Sequence, residues 1–309
     1  MTSSSASLPA TLSVRQRFQI VLITVAALGL YVFFRMLPTG TNLNHVDFRV
    51  EGGNAIEFCD PSNPQFIPVV AVRSPVTTRL VAEQPPEIGR ETRFTLHLAT
   101  ASGKPIGPND LVVMHTRPLH LLLVDPTLQD YQHLHPEPGA NPGQWVFVHT
   151  PRLAGEYRVF ADFTPTATGR GLYASADFVV PGEVPVNPVI RGWTTEVDGY
   201  LFTLTPSFEP VRAARVTDLT FAVTRPDGGE VRMQRVMDAY AHLVAFDRER
   251  SGFAHLHPNE LDLTHAPDPT RSVLTFKITI PKAGLYVIWA QVNLTGREQF
   301  VPFWFEVAP

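Results

Sequence analysis

Hydrophobic and polar positions fall into two regimes along the chain. Residues 18–37 are almost wholly apolar, broken only by Gln19, Thr24 and Arg35. A helix rises 1.5 Å per residue, so about 20 such residues just cross a hydrocarbon core roughly 30 Å thick, and a membrane-spanning helix is predicted. From about Val69 onward the apolar runs are short, many alternate with polar positions, and Pro, Gly or Asn clusters close them. That is strand-and-turn punctuation. Strands are expected over 78–82, 94–99, 111–115, 119–124, 131–135, 145–149, 155–163 and 174–180. A second set follows over 200–205, 216–224, 230–237, 242–246, 253–257, 273–280, 285–293 and 300–307.

The two sets repeat one another. His120 is followed by Asp125, Tyr131 and then His133-Leu134-His135-Pro136; His242 is followed at the same intervals by Asp247, Phe253 and His255-Leu256-His257-Pro258. Further on, Ala154-Gly155-Glu156-Tyr157 matches Ala283-Gly284-Leu285-Tyr286, and Phe160 matches Trp289. An internal duplication is the reading of such a repeat. Short strands with a turn every 8–12 residues predict immunoglobulin-like sandwiches. The expected fold is therefore all-β, two tandem sandwiches behind one transmembrane helix. The divisions are a tail at 1–17, the span at 18–37, a stalk at 38–68, and sandwiches at 69–182 and 187–309. Proline-rich 181–188 is the expected hinge.

Composition narrows the function classes. A net charge of −4 over 309 residues gives no footing for nucleic-acid binding. The 29 prolines argue against a helical body. The single cysteine, Cys59, excludes an intramolecular disulfide and any cysteine-based zinc site. Arg15 and Arg17 before the span, with Asp47 and Glu51 after it, predict a bacterial inner-membrane protein with its N-terminus inside and its body in the periplasm. No small-x-small cleavage pattern follows Tyr31–Pro38, so the span reads as an uncleaved anchor.

The repeated histidines carry the candidate chemistry. If each hairpin closes symmetrically, Val124 faces Tyr131, Leu122 faces His133 and His120 faces His135. Side chains alternate along strands, so all three imidazoles share one face. The same holds for His242, His255 and His257. Each triplet is a candidate metal site, copper before zinc. Met114 and Met237 stand nearly the same distance before the first histidine, and a thioether beside imidazoles favours Cu(I). His115 and His149 are expected to add donors to the first triplet, making it the better site, whereas the second is a twin or a relic. Asp125 and Asp247 read as turn residues. The same histidines also suit a structural edge, each ring satisfied by a carbonyl or carboxylate. No Gly-x-Ser-x-Gly, His-Glu-x-x-His, P-loop or dinucleotide fingerprint appears, and no carboxylate pair stands near either triplet, so a non-catalytic protein is expected.

With His-x(12)-His-Leu-His-Pro and Ala-Gly-x-Tyr in view, the region 70–308 resembles tandem YtkA-like domains, small exported bacterial β-sandwiches. The resemblance implies an extracytoplasmic location near copper-handling and respiratory-assembly proteins. A second class of reading is an accessory subunit of a respiratory or photosynthetic membrane complex. There the apolar residues of the stalk and the aromatic run Phe300–Phe305 would pack on a partner.

Overall fold

The computed structural model describes residues 12–36, 43–49, 64–260 and 262–309. Cys59, most of the expected stalk and most of the expected tail lie outside the described residues. Helix α1 runs from Val14 to Met36 and forms a unit separate from the body, Leu43–Pro309. Ser13 and Gln16 close its start as a capping box, Gln16 N–H donating to Ser13 Oγ at 3.3 Å and Ser13 N–H to Gln16 Oε1 at 2.9 Å. Its most apolar 18-residue stretch has a mean hydropathy of 1.9, and its 23 residues suffice to cross a bilayer.

The body is mostly strand. In the first repeat these are β1 (Val76–Ala82), β2 (Thr92–Thr100), β3 (Leu119–Val124), β4 (Tyr131–Leu134), β5 (Glu137–Pro138), β6 (Gln144–His149), β7 (Gly155–Phe163) and β8 (Leu172–Val180). In the second they are β9 (Thr194–Val197), β10 (Tyr200–Pro206), β11 (Val216–Thr224), β12 (Met233–Gln234), β13 (Ala241–Asp247), β14 (Phe253–Leu256), β15 (Ser272–Thr279), β16 (Gly284–Leu294) and β17 (Arg297–Val307). Each repeat is a sandwich of two antiparallel sheets. The first packs β1-β2-β6-β5 on β4-β3-β7-β8; the second packs β15-β11-β10-β9 on β14-β13-β16, with β12 and β17 also paired to β16.

Each sandwich fills its own core from alternate positions: Leu119, Leu121 and Leu123 with Val159 and Trp145 in the first, Leu243 and Ala245 with Ile288 and Phe221 in the second. The other faces of β3 and β13 are not solvated. Every residue of both strands is buried. A third apolar cluster joins Leu122, Val124, Tyr131 and Phe160 to Val244, Phe246, Phe253, Val287 and Trp289. The two sandwiches thus press their histidine-bearing sheets face to face. The ring pairs Phe160–Phe253 at 5.3 Å and Tyr131–Phe246 at 5.4 Å lie in that contact.

The Ala-Gly-x-Tyr repeat has a structural cause. Tyr157 donates its hydroxyl to the Leu153 carbonyl and Tyr286 to that of Lys282, both at 3.1 Å and both four residues back. This is the tyrosine corner of immunoglobulin-like sandwiches. Gly155 and Gly284 precede each tyrosine at φ 125° and 147°, a backbone region few side chains tolerate. Asp125 and Asp247 are turn residues: Asp125 accepts the amides of Thr127, Gln129 and Asp130, and Asp247 that of Ser251.

Two expected strands are corrected. Residues 111–115 and 230–237 are not strands over their lengths: each leads into a tight turn of two left-handed residues, His115-Thr116 and Met237-Asp238. In the run Phe300–Phe305, Phe303 and Phe305 fill the second core and Trp304 joins the cluster between the sandwiches. Phe48, in the apolar stalk expected to pack on the first domain or a neighbour, is buried in the first core, where Lys104 pairs with its neighbour Asp47 at 2.6 Å.

Residues 64–71 strap the second sandwich, Ile67 exchanging both backbone hydrogen bonds with Phe253 at 2.8 and 3.1 Å. The strap lies so close that a Cβ at Gly252 would overlap the Ile67 carbonyl oxygen. Gly252→Ala is expected to lever the strap off Phe253 and cost about 3 kcal/mol, the upper end of overpacking penalties. Urea unfolding checks it; an unchanged midpoint would show that the strap yields freely.

Candidate metal centre

The hairpins close in the register read from the repeat. Val124 pairs with Tyr131 and Leu122 with His133; Phe246 pairs with Phe253 and Val244 with His255. His135 and His257 follow directly as β4 and β14 end before Pro136 and Pro258. All six repeated histidines therefore point out of their own sandwich and into the layer between the two. They occupy one end of that layer, and the aromatic cluster occupies the other.

His120, His133 and His135 come together, their donor nitrogens lying within 4.8 Å of one another. His120 Nε2 sits 3.0 Å from the Met114 carbonyl, which only accepts, so that nitrogen carries the proton and Nδ1 keeps its lone pair. Gln291 donates its amide N–H to Glu298 at 2.8 Å, which turns Oε1 toward His133 Nδ1 at 3.0 Å. His133 is thereby protonated at Nδ1 and bare at Nε2. The two bare atoms, His120 Nδ1 and His133 Nε2, are 3.2 Å apart, and His135 Nε2 is also 3.2 Å from His120 Nδ1. Ligand nitrogens held about 2.0–2.1 Å from one tetrahedral ion are separated by about 3.3 Å. The spacing is that of an N-donor metal site.

The second cluster has a different membership from the expected triplet. The donor atoms of His242 and His257 group with those of His115, from the first repeat. The His115 ring stacks on His257 at 3.8 Å between centroids. His255 adjoins them, 4.7 Å from the His257 ring, and its Nδ1 lies 3.2 Å from the Asp162 carboxylate. Both nitrogens of His242, Nε2 of His255 and Nε2 of His257 are buried with no hydrogen-bonding partner among the described residues. A buried polar atom left so costs about 1–3 kcal/mol. The two clusters touch: His133 and His255 have ring centroids 5.2 Å apart, and His120 and His255 6.0 Å.

His115 thus serves the second repeat's cluster, not the first. His149 serves neither. It packs between Phe94, Tyr157 and Phe178, with Nδ1 3.1 Å from Gln132. Asp162 and Gln291 were not foreseen. They pair directly with His120 and His242 across β3–β7 and β13–β16, so they are equivalent positions in the two repeats. Neither stands out in the sequence, because Glu156 and Arg158 share the outer face of β7 with Asp162, and Asn293 that of β16 with Gln291.

Burial holds all seven rings below their ordinary value: His135 down to about 4, and His133, His242, His255 and His257 well below 6.5. Neutral imidazole is the form that ligates metals. In His120, His133 and His255 the outer partner takes the ring proton, leaving the other nitrogen's lone pair facing the cluster.

A family model matches the chain twice, over residues 72–181 and 195–309. The chain belongs to the DUF8832 family. That family is described as a domain of unknown function, so two DUF8832 domains face each other across the histidines. A comparison with curated proteins found no match. Among solved structures, the Escherichia coli adhesin FdeC is similar at 17% identity over 75% of this chain and 64% of that one, with a TM-score of 0.23. A Salmonella alpha-2-macroglobulin gives 13%, 76%, 16% and 0.24, and a DUF4785 family protein of Legionella pneumophila gives 10%, 76%, 57% and 0.26. The chain spans less than two thirds of each of these structures.

The depressed histidines set a pH dependence for the metal-free protein. In the unfolded chain they take up protons near 6.5, whereas in the fold they stay neutral to lower pH. The unfolded state therefore binds more protons below that value, and stability falls as pH drops. Urea midpoints measured in chelator are expected to decline from about pH 7.5 to about pH 5.5; a flat profile would contradict the burial of the cluster.

Proposed function

We propose that this DUF8832 protein is a membrane-anchored, non-catalytic metal-binding protein of the bacterial cell envelope, taking copper before zinc. The observation that carries the reading is the 3.2 Å approach of His120 Nδ1 and His133 Nε2, two lone pairs whose tautomers are fixed from outside. The four unpartnered nitrogens of His242, His255 and His257 support it. His120, His133 and His135 would hold one ion; His242 and His257, with His115 and the adjoining His255, would hold another. Imidazole suits both metals. Charge favours the monovalent form of copper, since Asp162 is the carboxylate that contacts the cluster, and uncompensated buried charge is costly.

The anchor is α1, flanked at its start by Arg15 and Arg17, which favours a cytoplasmic N-terminus and a periplasmic body. A non-catalytic role accords with the donor set: the deeply buried rings leave little room for a substrate. Resemblance to YtkA-like domains supports the choice of copper.

The test is metal content of the full chain in detergent, without a polyhistidine tag, after copper or zinc loading and dialysis against a weak chelator. About two ions per chain are expected, about one in His133→Ala/His135→Ala and about one in His242→Ala/His257→Ala, each site closing with three or four ligands. Wild-type protein that retains no metal would overturn the reading.

A further inference from the structure

The two clusters are related by the duplication, and the departures from that symmetry are informative. The bridges Met114–Arg117 and Val236–Ala239 close equivalent turns, so His115 corresponds to Met237 and Thr116 to Asp238. Met114 corresponds to Val236, which sets aside the equivalence of Met114 with Met237 suggested by their spacing. Both turns hold two consecutive non-glycine residues in the left-handed region, at φ 47° and 70° in one and 47° and 56° in the other. Such a conformation is costly for His, Thr and Met, and it persists where surroundings enforce it. Burial matches as well: His115 and Met237 are partly covered, Thr116 and Asp238 exposed.

His115 crosses to the other repeat and stacks on His257 beside His242. The same operation takes His257 to His135, His242 to His120 and His115 to Met237. By that equivalence Met237 is assigned the place beside His120 and His135 that His115 holds beside His242 and His257. Asp238, next in the chain, lies close enough to His115 to act on its ring, which brings the two turns to the same end of the interface. A second break in symmetry runs in the same direction. The outer partner of His133 is the neutral Gln291, whereas that of His255 is the carboxylate Asp162. His133 and His255 thus each take their outer partner from the opposite repeat.

We propose that the two sites are chemically distinct: Met237 supplies a thioether to His120, His133 and His135 to make a Cu(I) site, while His115 completes an imidazole site with His242, His255 and His257 that takes a divalent ion. The proposal rests on the metal-binding reading above. A soft thioether beside imidazoles favours Cu(I). Four imidazoles with Asp162 behind one of them supply harder donors and a compensating charge.

The experiment titrates the full chain in detergent with Cu(I) against a chromogenic Cu(I) chelator under anaerobic reductant, and separately with Zn(II) against a zinc chelator. Met237→Leu is expected to weaken the tighter Cu(I) site by roughly tenfold or more, with zinc retention and the urea midpoint of the metal-free protein unchanged. His115→Ala is expected to do the reverse, weakening zinc and sparing the tight Cu(I) site. X-ray absorption of the wild-type protein loaded with one Cu(I) is expected to show a sulfur scatterer that Met237→Leu removes. A Cu(I) site bound by nitrogen alone, or equal Cu(I) affinity in Met237→Leu, would overturn the assignment and leave the metal reading standing. Wild-type protein that binds neither ion would instead overturn that earlier reading.

Discussion

Everything distinctive about this body depends on the contact between the outer faces of two sheets. In an ordinary sandwich the outward positions of a strand meet water and read as polar. Here β3 and β13 are buried on both faces, and their outward positions are Leu122, Val124, Val244 and Phe246. Apolar surface of that extent stabilises the association at roughly 25 cal/mol per Å² removed from water. At the same time it drags His120 and His242, one residue pair further along each strand, out of solvent. The aromatic end of the interface supplies the driving force, and the histidine end meets the desolvation cost.

That cost shapes the chemistry. Buried beside one another, the imidazoles are held neutral, and each neutral ring has one proton for two nitrogens. The Met114 carbonyl and the Gln291–Glu298 pair take those protons on the outside in the first cluster, as Asp162 does for His255 in the second. Lone pairs are left pointing inward. A carboxylate or carbonyl behind a ligating imidazole fixes its orientation and raises its basicity. A purely structural edge accounts for the rings held by a carbonyl or carboxylate, but among the described residues it leaves four buried nitrogens of His242, His255 and His257 without a partner.

The repeat, the strand-rich fold and the hairpin register were legible because they follow from local rules: alternation, turn residues and a shared spacing. The face on which the histidines would fall was legible too. What covers that face was not inferred, although a trace of it was present. Leu119–Val124 and Ala241–Asp247 are nearly unbroken apolar runs, and such runs mark strands buried on both sides. The turns at His115-Thr116 and Met237-Asp238 escaped because neither holds the glycine or asparagine that usually marks a left-handed pair. Misreading them as strand placed His115 with the wrong triplet. Asp162 and Gln291 escaped because partners on a neighbouring strand become adjacent only once the sheet order is known.

A site assembled between repeats differs in kind from two sites carried side by side. The histidines of each repeat meet residues of the other: His133 meets Gln291, His255 meets Asp162, and His115 stacks on His257. An ion bound only in the closed arrangement stabilises it by mass action, about 2.7 kcal/mol at a hundred times its dissociation constant. Under the proposed reading, metal occupancy and sandwich–sandwich packing are therefore one equilibrium. Duplication explains why this was accessible: a symmetric pair of faces provides six histidines at once. Unequal substitution at 115/237 and 162/291 then differentiates the halves without disturbing either core, because those positions lie on the shared face and at its turns.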